Sequence, residues 1–472
     1  MRTLITNGTI VTADGSYDAD VLVDGETIAA IGADLASNGT TAEETIDATG
    51  RYVIPGGIDV HTHMELPFGG TFAKDTFETG TRAAAFGGTT SIVDFAVQSK
   101  GRSLREGLDA WHAKAQGNAV TDYGFHMIVS DVTDDSLREM DQLVAEGIPD
   151  FKLFTAYPGV FYSDDGAIYR AMQQTAKNGG LIMMHAENGM AIDVVAADTV
   201  AEGTTDPIGH GLARKPVFEG EATNRVIRLA EAAGVPVYIV HLSARDALEE
   251  VREARDRGSM AFAETCPQYL FLSLDDMGHG FEGAKFVCSP PLRSRDHWEE
   301  LWRGLVKDDL QVVSTDHCPF DFEGQKELGR GDFRKIPNGL PGVEDRVAES
   351  LLEDLEASFA AMRPSDPVRI QLWRDVQANL QNVVRRRWSL VEESEGTIPP
   401  ALLVVVTSWL AVIFASFGYR APRNAVVITT LVAAAFLIAV AFYLILDLDQ
   451  PFAGAIEVSS APLQRAEEQI SR

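Results

Sequence analysis

The sequence predicts an α/β fold: a (β/α)8 TIM-type barrel with a small, partly incomplete N-terminal β-sandwich, followed by helices and a two-helix transmembrane hairpin. Three observations carry this. From Tyr52 onward, continuous apolar runs alternate with helix-patterned stretches, the rhythm of a buried parallel sheet with helices outside. Before Tyr52, short β-type runs are punctuated by turn pairs. Near the C-terminus, two long runs carry no charge.

Taken in order, residues 1–53 give the sandwich part. Strands are expected at 4–5, 10–11, 21–23 and 28–31, separated by Asn7-Gly8, Asp14-Gly15 and Asp24-Gly25. Residues 54–346 give the barrel, cut short at its C-terminal end. Its strands are expected at 90–95, 124–129, 151–154, 181–185, 237–241 and 311–314, after a strand-type run at 52–60. In 347–398, Leu352, Leu355, Phe359 and Met362, then Trp373, Val376, Leu380 and Val383, have helical spacing, with Pro364 and Pro367 between the two helices. The uncharged runs 399–419 and 424–446 each reach the roughly 20 residues that span a bilayer core. With the short polar link 420–424 they read as a membrane hairpin; two buried helices in a large soluble core are the alternative. Residues 447–472 form a polar tail.

Composition narrows the function. The 69 acidic against 40 basic residues give a net charge of −29, which repels phosphate backbones and argues against a nucleic-acid partner. An apolar fraction of 45% excludes a disordered chain. Cys266, Cys288 and Cys318 form no CxxC pair, so a disulfide framework is not expected and a reducing compartment fits. The N-terminal segment has no apolar signal core, so the N-terminal half is expected to stay cytoplasmic.

The chemistry lies at predicted strand ends. His61 and His63 follow the run 52–60 and project to one side of a strand, where two imidazoles can hold a metal. Alone, such a pair is weak evidence. Lys152 sits inside an apolar strand, where it must lose its charge, find a partner or be modified. His185, His241 and Asp316 close three further runs. A lone strand-end histidine is usually a satisfied core group, but six such residues in one pattern are not. Four imidazoles and a carboxylate can hold two divalent ions. A carbamate on Lys152 would add a bridging anion, and a hydroxide shared by the two ions would be a nucleophile at neutral pH. Asp316 can take its proton and deliver it to a leaving nitrogen. The other histidines, His112, His126, His210, His279, His297 and His317, read as surface or packing residues.

The stretches PGGIDVHTHMELPFGGT, GGTTSIVDFA, FKLFTAYPGV, MMHAENG, VYIVHLSA, ETCPQYLFL, CSPPLR, STDHCPF and NGLPGVEDR occur in this order. On them, residues 1 to about 346 resemble the cyclic amidohydrolases, most closely the dihydropyrimidinase and hydantoinase group. The resemblance implies that His61 and His63 bind the more buried metal, His185 and His241 the second, and carbamylated Lys152 bridges them. Asp316 would be a ligand and the proton shuttle. Tyr157 would stabilise the carbonyl oxyanion, and Ser289 and Asn338 would grip the ring amide. The implied ions are two divalent metals, zinc in kind, and the implied substrate is a small cyclic ureide. Glu65 stands where dihydroorotase-like members carry an arginine for a substrate carboxylate, which weakens that reading. The apolar loop Leu66-Pro67-Phe68 lies beside the site in sequence and can accept a ring substituent.

After Arg346 this resemblance stops. The stretches LWRDVQANLQ, RRRWSLVEESEGTIPPALLVVVTSWLAVIFASFGYRAPRNA and LILDLDQPFAGAIEVSSAPL resemble the C-terminal part of a bestrophin-like family of bacterial membrane proteins. The resulting expectation is a metal-dependent hydrolase that opens a dihydropyrimidine or 5-substituted hydantoin ring to an N-carbamoyl amino acid, attached to a membrane by its C-terminal hairpin. A homo-oligomer is implied by resemblance alone. A second reading stands beside it: a membrane protein whose truncated hydrolase half is inactive.

Overall fold

The computed structural model describes residues 1–13 and 15–345. The helices expected in 347–398, the hairpin in 399–446 and the polar tail lie outside the described residues.

The N-terminal strands are β1 (Arg2–Thr12), β2 (Gly15–Asp24), β3 (Thr27–Gly32), β4 (Glu44–Asp47) and β5 (Tyr52–Val53). They form one five-stranded sheet in the order β3-β2-β1-β4, with β5 also on β1. Among the described residues this sheet is what the expected, partly incomplete sandwich comprises. The pair Asn7-Gly8, expected as a turn, instead marks a bulge within one strand. The β1–β2 register shifts between Ile5 and Gly8, Asn7 takes a φ of 62°, and its N–H donates to Asp20 Oδ1 at 3.0 Å.

The strand-type run 52–60 also divides. Tyr52–Val53 belongs to the N-terminal sheet, while β6 (Gly57–Thr62) opens the barrel. Pro55 has no N–H for a ladder. Gly56 lies so close to Thr90 that a Cβ there would meet its Oγ1 at 2.1 Å.

A hairpin of β7 (Pro67–Phe68) and β8 (Thr71–Phe72) follows, then α1 (Phe77–Phe86), β9 (Thr89–Val97), α2 (Leu104–Ala115), β10 (Asp122–Ile128), α3 (Asp134–Ala145), β11 (Asp150–Phe154), α4 (Asp165–Asn178) and β12 (Leu181–His185). Next come α5 (Gly189–Ala201), α6 (Ile208–Ala213), α7 (Pro216–Ala233), β13 (Val237–Ile239), α8 (Arg245–Asp256), β14 (Ala261–Thr265), α9 (Pro267–Phe271), α10 (Trp298–Val306) and β15 (Val312–Val313). The starts of α1 to α5 are fixed locally. Thr76, Ser103, Thr133, Asp164 and Asn188 each accept the N–H three residues on, satisfying a donor the helix cannot use.

Eight parallel strands make the second sheet, in the order β15-β14-β13-β12-β11-β10-β9-β6. Its two edges meet where Thr62 pairs in parallel with His317, and the His63 N–H donates to the His317 carbonyl at 2.9 Å. This closes the barrel and leaves no open edge at that level. Strand β14, AFAET, was not among the expected runs; it is short and Glu264 interrupts its apolar pattern. No helix among the described residues is long and apolar enough to cross a membrane.

Candidate active site

The C-terminal ends of the barrel strands bring the six sequence-predicted ligand residues together. His61 lies in β6 and His63 just past its end; their Nε2 atoms are 3.2 Å apart. Lys152 lies in β11, 2% exposed, with Nζ 2.9 Å from His61 Nε2. His185 ends β12 and faces His241, with Nδ1 and Nε2 separated by 3.0 Å. Asp316 Oδ1 stands 3.2 Å from the Nε2 atoms of both His61 and His63. His61, His241 and Asp316 offer ligand atoms within 4.8 Å of one another. The strands β13 and β15 stop short of the ends expected at 241 and 314, because the backbone leaves the ladder there. His241 has a φ of 39° and Asp316 a φ of 52°.

The electrostatics suit cation binding. Burial pushes His63 down to about 3, His241 well below the ordinary imidazole value, and His185 in the same direction. These rings are therefore neutral and offer lone pairs. His185 Nε2–H donates to Glu187 Oε2 at 3.0 Å, so its other nitrogen turns its lone pair into the site. His61 Nδ1–H donates to Glu264, and against burial and Lys152 the carboxylates of Glu264 and Asp316 raise the His61 pKa above the ordinary imidazole value. Burial works against ionisation of Asp316, but His61 and His63 hold its carboxyl well below the usual range. Ring nitrogens facing one another at 3.0 to 3.2 Å, beside a carboxylate, need a proton or a cation between them. This nitrogen- and oxygen-rich donor set fits divalent ions. Burial also lowers Lys152 to about 8, so an uncharged amine is accessible near neutral pH.

A second group of predicted residues converges from other loops. Tyr157, at a φ of 59°, has the side chains of Ser289 and Asn338 beside it. Burial pushes its phenol up to about 12, so it stays a proton-bearing donor. Asn338 Oδ1 is buried without a partner. Tyr157, Ser289 and Asn338 line one cavity with His63, Lys152, His185, His241 and Asp316; Leu66, Phe68, Ile128, Phe154 and Phe161 make its apolar wall. The loop 66–68 thus meets the site as expected, with Phe68 set edge-on against Tyr157 at 5.4 Å. Cys318 also lines the cavity, but burial raises its thiol and that of Cys288, the latter to about 12, which disfavours a nucleophilic thiolate.

The supporting groups were missed. Glu264 takes bonds from His61, from the Tyr238 hydroxyl at 3.0 Å and from the His241 N–H at 3.2 Å. Glu187 also pairs with Arg214. Asp94 accepts from Thr62 Oγ1 and Met64 N at 2.8 Å and from Trp111 Nε1 at 2.9 Å, holding the segment that carries both β6 histidines. His210 Nε2 lies 2.9 Å from the Cys288 carbonyl and 3.1 Å from Ser289 Oγ. The signal for Glu264 and Asp94 was the one that singled out Lys152: a charged residue within an otherwise apolar strand.

The Amidohydrolase family model matches residues 52–363, and a Bestrophin-like domain model matches residues 339–463. A D-hydantoinase of Streptomyces coelicolor is 64% identical over 349 residues, 73% of this chain and 75% of that protein. A D-hydantoinase of Geobacillus stearothermophilus is 53% identical, over 74% of each chain. The crystal structure of a dihydropyrimidinase from Brevibacillus agri superposes with a TM-score of 0.71 at 52% identity, covering 73% of this chain and 75% of that one. The strand order and these likenesses place the chain in the amidohydrolase family, within its hydantoinase group.

Proposed function

We propose that the chain hydrolyses a cyclic amide, opening a dihydropyrimidine or 5-substituted hydantoin ring to an N-carbamoyl amino acid. The observation that carries this is the meeting of His61, His63, Lys152, His185, His241 and Asp316 at one end of the barrel. Family membership implies divalent metal ions. In this reading His61, His63 and Asp316 hold one and His185 and His241 the other. Zinc suits the imidazole donors. When bound, such ions supply a water ionised at neutral pH and a polarised carbonyl.

The chain's own residues do the rest. The neutral amine of Lys152 would add to carbon dioxide, forming an N–C bond and releasing one proton to water, and the resulting carbamate anion would offer its oxygens to the ions. Tyr157 donates its phenolic proton as a hydrogen bond to the carbonyl oxygen as negative charge grows there. Asp316 accepts the proton of the attacking water and delivers it to the ring nitrogen as the C–N bond breaks. Ser289 and Asn338 hold the ring amide in register, and the apolar wall from Leu66 to Phe161 excludes water around a ring substituent.

A second reading concerns the C-terminal region. The Bestrophin-like match supports membrane attachment through residues 399–446; in this reading the hydrolase half lies on the cytoplasmic side. Within that reading the boundaries 1–53, 54–346, 347–398 and 399–446 are our proposed divisions.

The test is metal content and turnover of dihydrouracil and hydantoin by the full chain purified in detergent. About two ions per chain with ring opening is the expected result. The Asp316→Asn variant should keep most of its metal and lose turnover by at least about a thousandfold. Full activity in that variant overturns the proton path, and metal-free, inactive wild type overturns the hydrolase reading.

A further inference from the structure

Lys326 is a buried lysine that the reaction above does not use. It starts the short 3-10 turn Lys326–Gly329 and is 2% exposed. Its Nζ donates at 2.8 Å to the carbonyl of Val287 and at 2.8 Å to the carbonyl of Gly339. Those two acceptors belong to different loops. Val287 lies two residues before Ser289, and Gly339 directly follows Asn338. The loops also touch each other, because the Gly339 N–H donates to the Val287 carbonyl at 2.9 Å. Beyond this junction, Ser289 and Asn338 line the same cavity as Tyr157.

We propose that Lys326 is a positioning residue for substrate: its ammonium ties the loop of Ser289 to the loop of Asn338 and so sets the spacing with which they grip the ring amide. The inference rests on the reading of Ser289 and Asn338 as ring-binding positions. A buried ammonium is costly to desolvate, and it is kept only where its hydrogen bonds have good geometry. Here two of its three N–H groups reach carbonyls on the two arms. Burial lowers its pKa to about 7, with Cys288 and Cys318 acting in the opposite sense, which marks a dry junction. His210 steadies the first arm independently through the Cys288 carbonyl and Ser289 Oγ. Lys326 is thus the side chain that links one arm to the other.

The experiment separates ring binding from chemistry and from metal loading. In the Asp316→Asn background, hydantoin binding is measured by calorimetry with and without Lys326→Met. The expected result is a Kd raised about tenfold by Lys326→Met. In the otherwise wild-type chain, KM should rise by a similar factor, with kcat within about threefold and metal content unchanged. Lys326→Gln, which keeps two N–H donors on a shorter stem, should fall between the two and serves if the methionine variant does not fold. An unchanged Kd in a folded Lys326 variant overturns the inference. So does a parallel fall in kcat and metal content, which would mark a general structural role. Loss of hydantoin binding already in Asp316→Asn alone would overturn the ring-binding reading and this inference with it. Wild type that binds hydantoin without turnover would overturn only the hydrolase reading.

Discussion

Three residues of the site, Tyr157, His241 and Asp316, hold a left-handed backbone that non-glycine residues seldom adopt. Each such conformation costs on the order of 1–3 kcal/mol and persists where the surroundings enforce it. Here they turn a side chain inward at the moment its strand ends. His210 shows how a residue outside the ligand set still shapes the site. Burial, with Arg214 adding to it, pushes its pKa down to about 3, so it is neutral in the fold while the unfolded chain titrates near 6.5. Between those values the unfolded state binds more protons, so stability falls as pH drops. One such group contributes up to about 1.4 kcal/mol per pH unit. His210→Gln should therefore flatten the acid limb by about that slope between pH 6 and 4, measured by denaturant unfolding across pH; an unaltered limb would contradict it. The candidate ligands were legible because each is a polar residue among apolar neighbours, near a strand end. Which nitrogen of each imidazole faces inward was not legible, since that depends on Glu264 and Glu187, which arrive from elsewhere in the chain.

At the scale of elements, the loops after the strands carry what the strands cannot. Gly339 joins the Asn338 arm to the barrel at a φ of 156°, and a Cβ there would lie 2.1 Å from the Cys318 carbonyl. Gly339→Ala should force the arm outward. The expected outcome is a stability loss of about 1–3 kcal/mol together with a raised KM, read from the melting temperature and steady-state kinetics. Strands were easier to read where they were continuously apolar. The run 181–185 is one strand with the expected bounds, whereas the run 52–60 divides between two sheets at a proline and a crowded glycine. Asn7-Gly8 misled for a related reason. Its local chemistry is that of a turn, but cross-strand pairing with β2 absorbs it as a bulge.

The whole molecule joins two unlike parts, and the sequence displayed the join as a change in patterning near residue 346. The family models overlap there, one reaching residue 363 and the other beginning at 339. If the C-terminal runs insert as proposed, the full chain should sediment with membranes and resist alkaline carbonate extraction; release into the soluble fraction would contradict insertion. The barrel's overall plan was legible because parallel strands buried on both faces leave a strong apolar rhythm. Its closure was not, because no local pattern announces that Thr62 will pair with His317. That closure has a consequence in time. Asp59 and Thr315 touch across 256 residues of chain, and His61 meets Asp316 at the same seam. At the ordinary pace of synthesis, roughly 5–20 residues per second, the first histidines wait tens of seconds on the ribosome before their last partner emerges. Throughout that interval β6 is an unpaired edge on a growing sheet. The nascent chain therefore carries that edge exposed for most of its own translation.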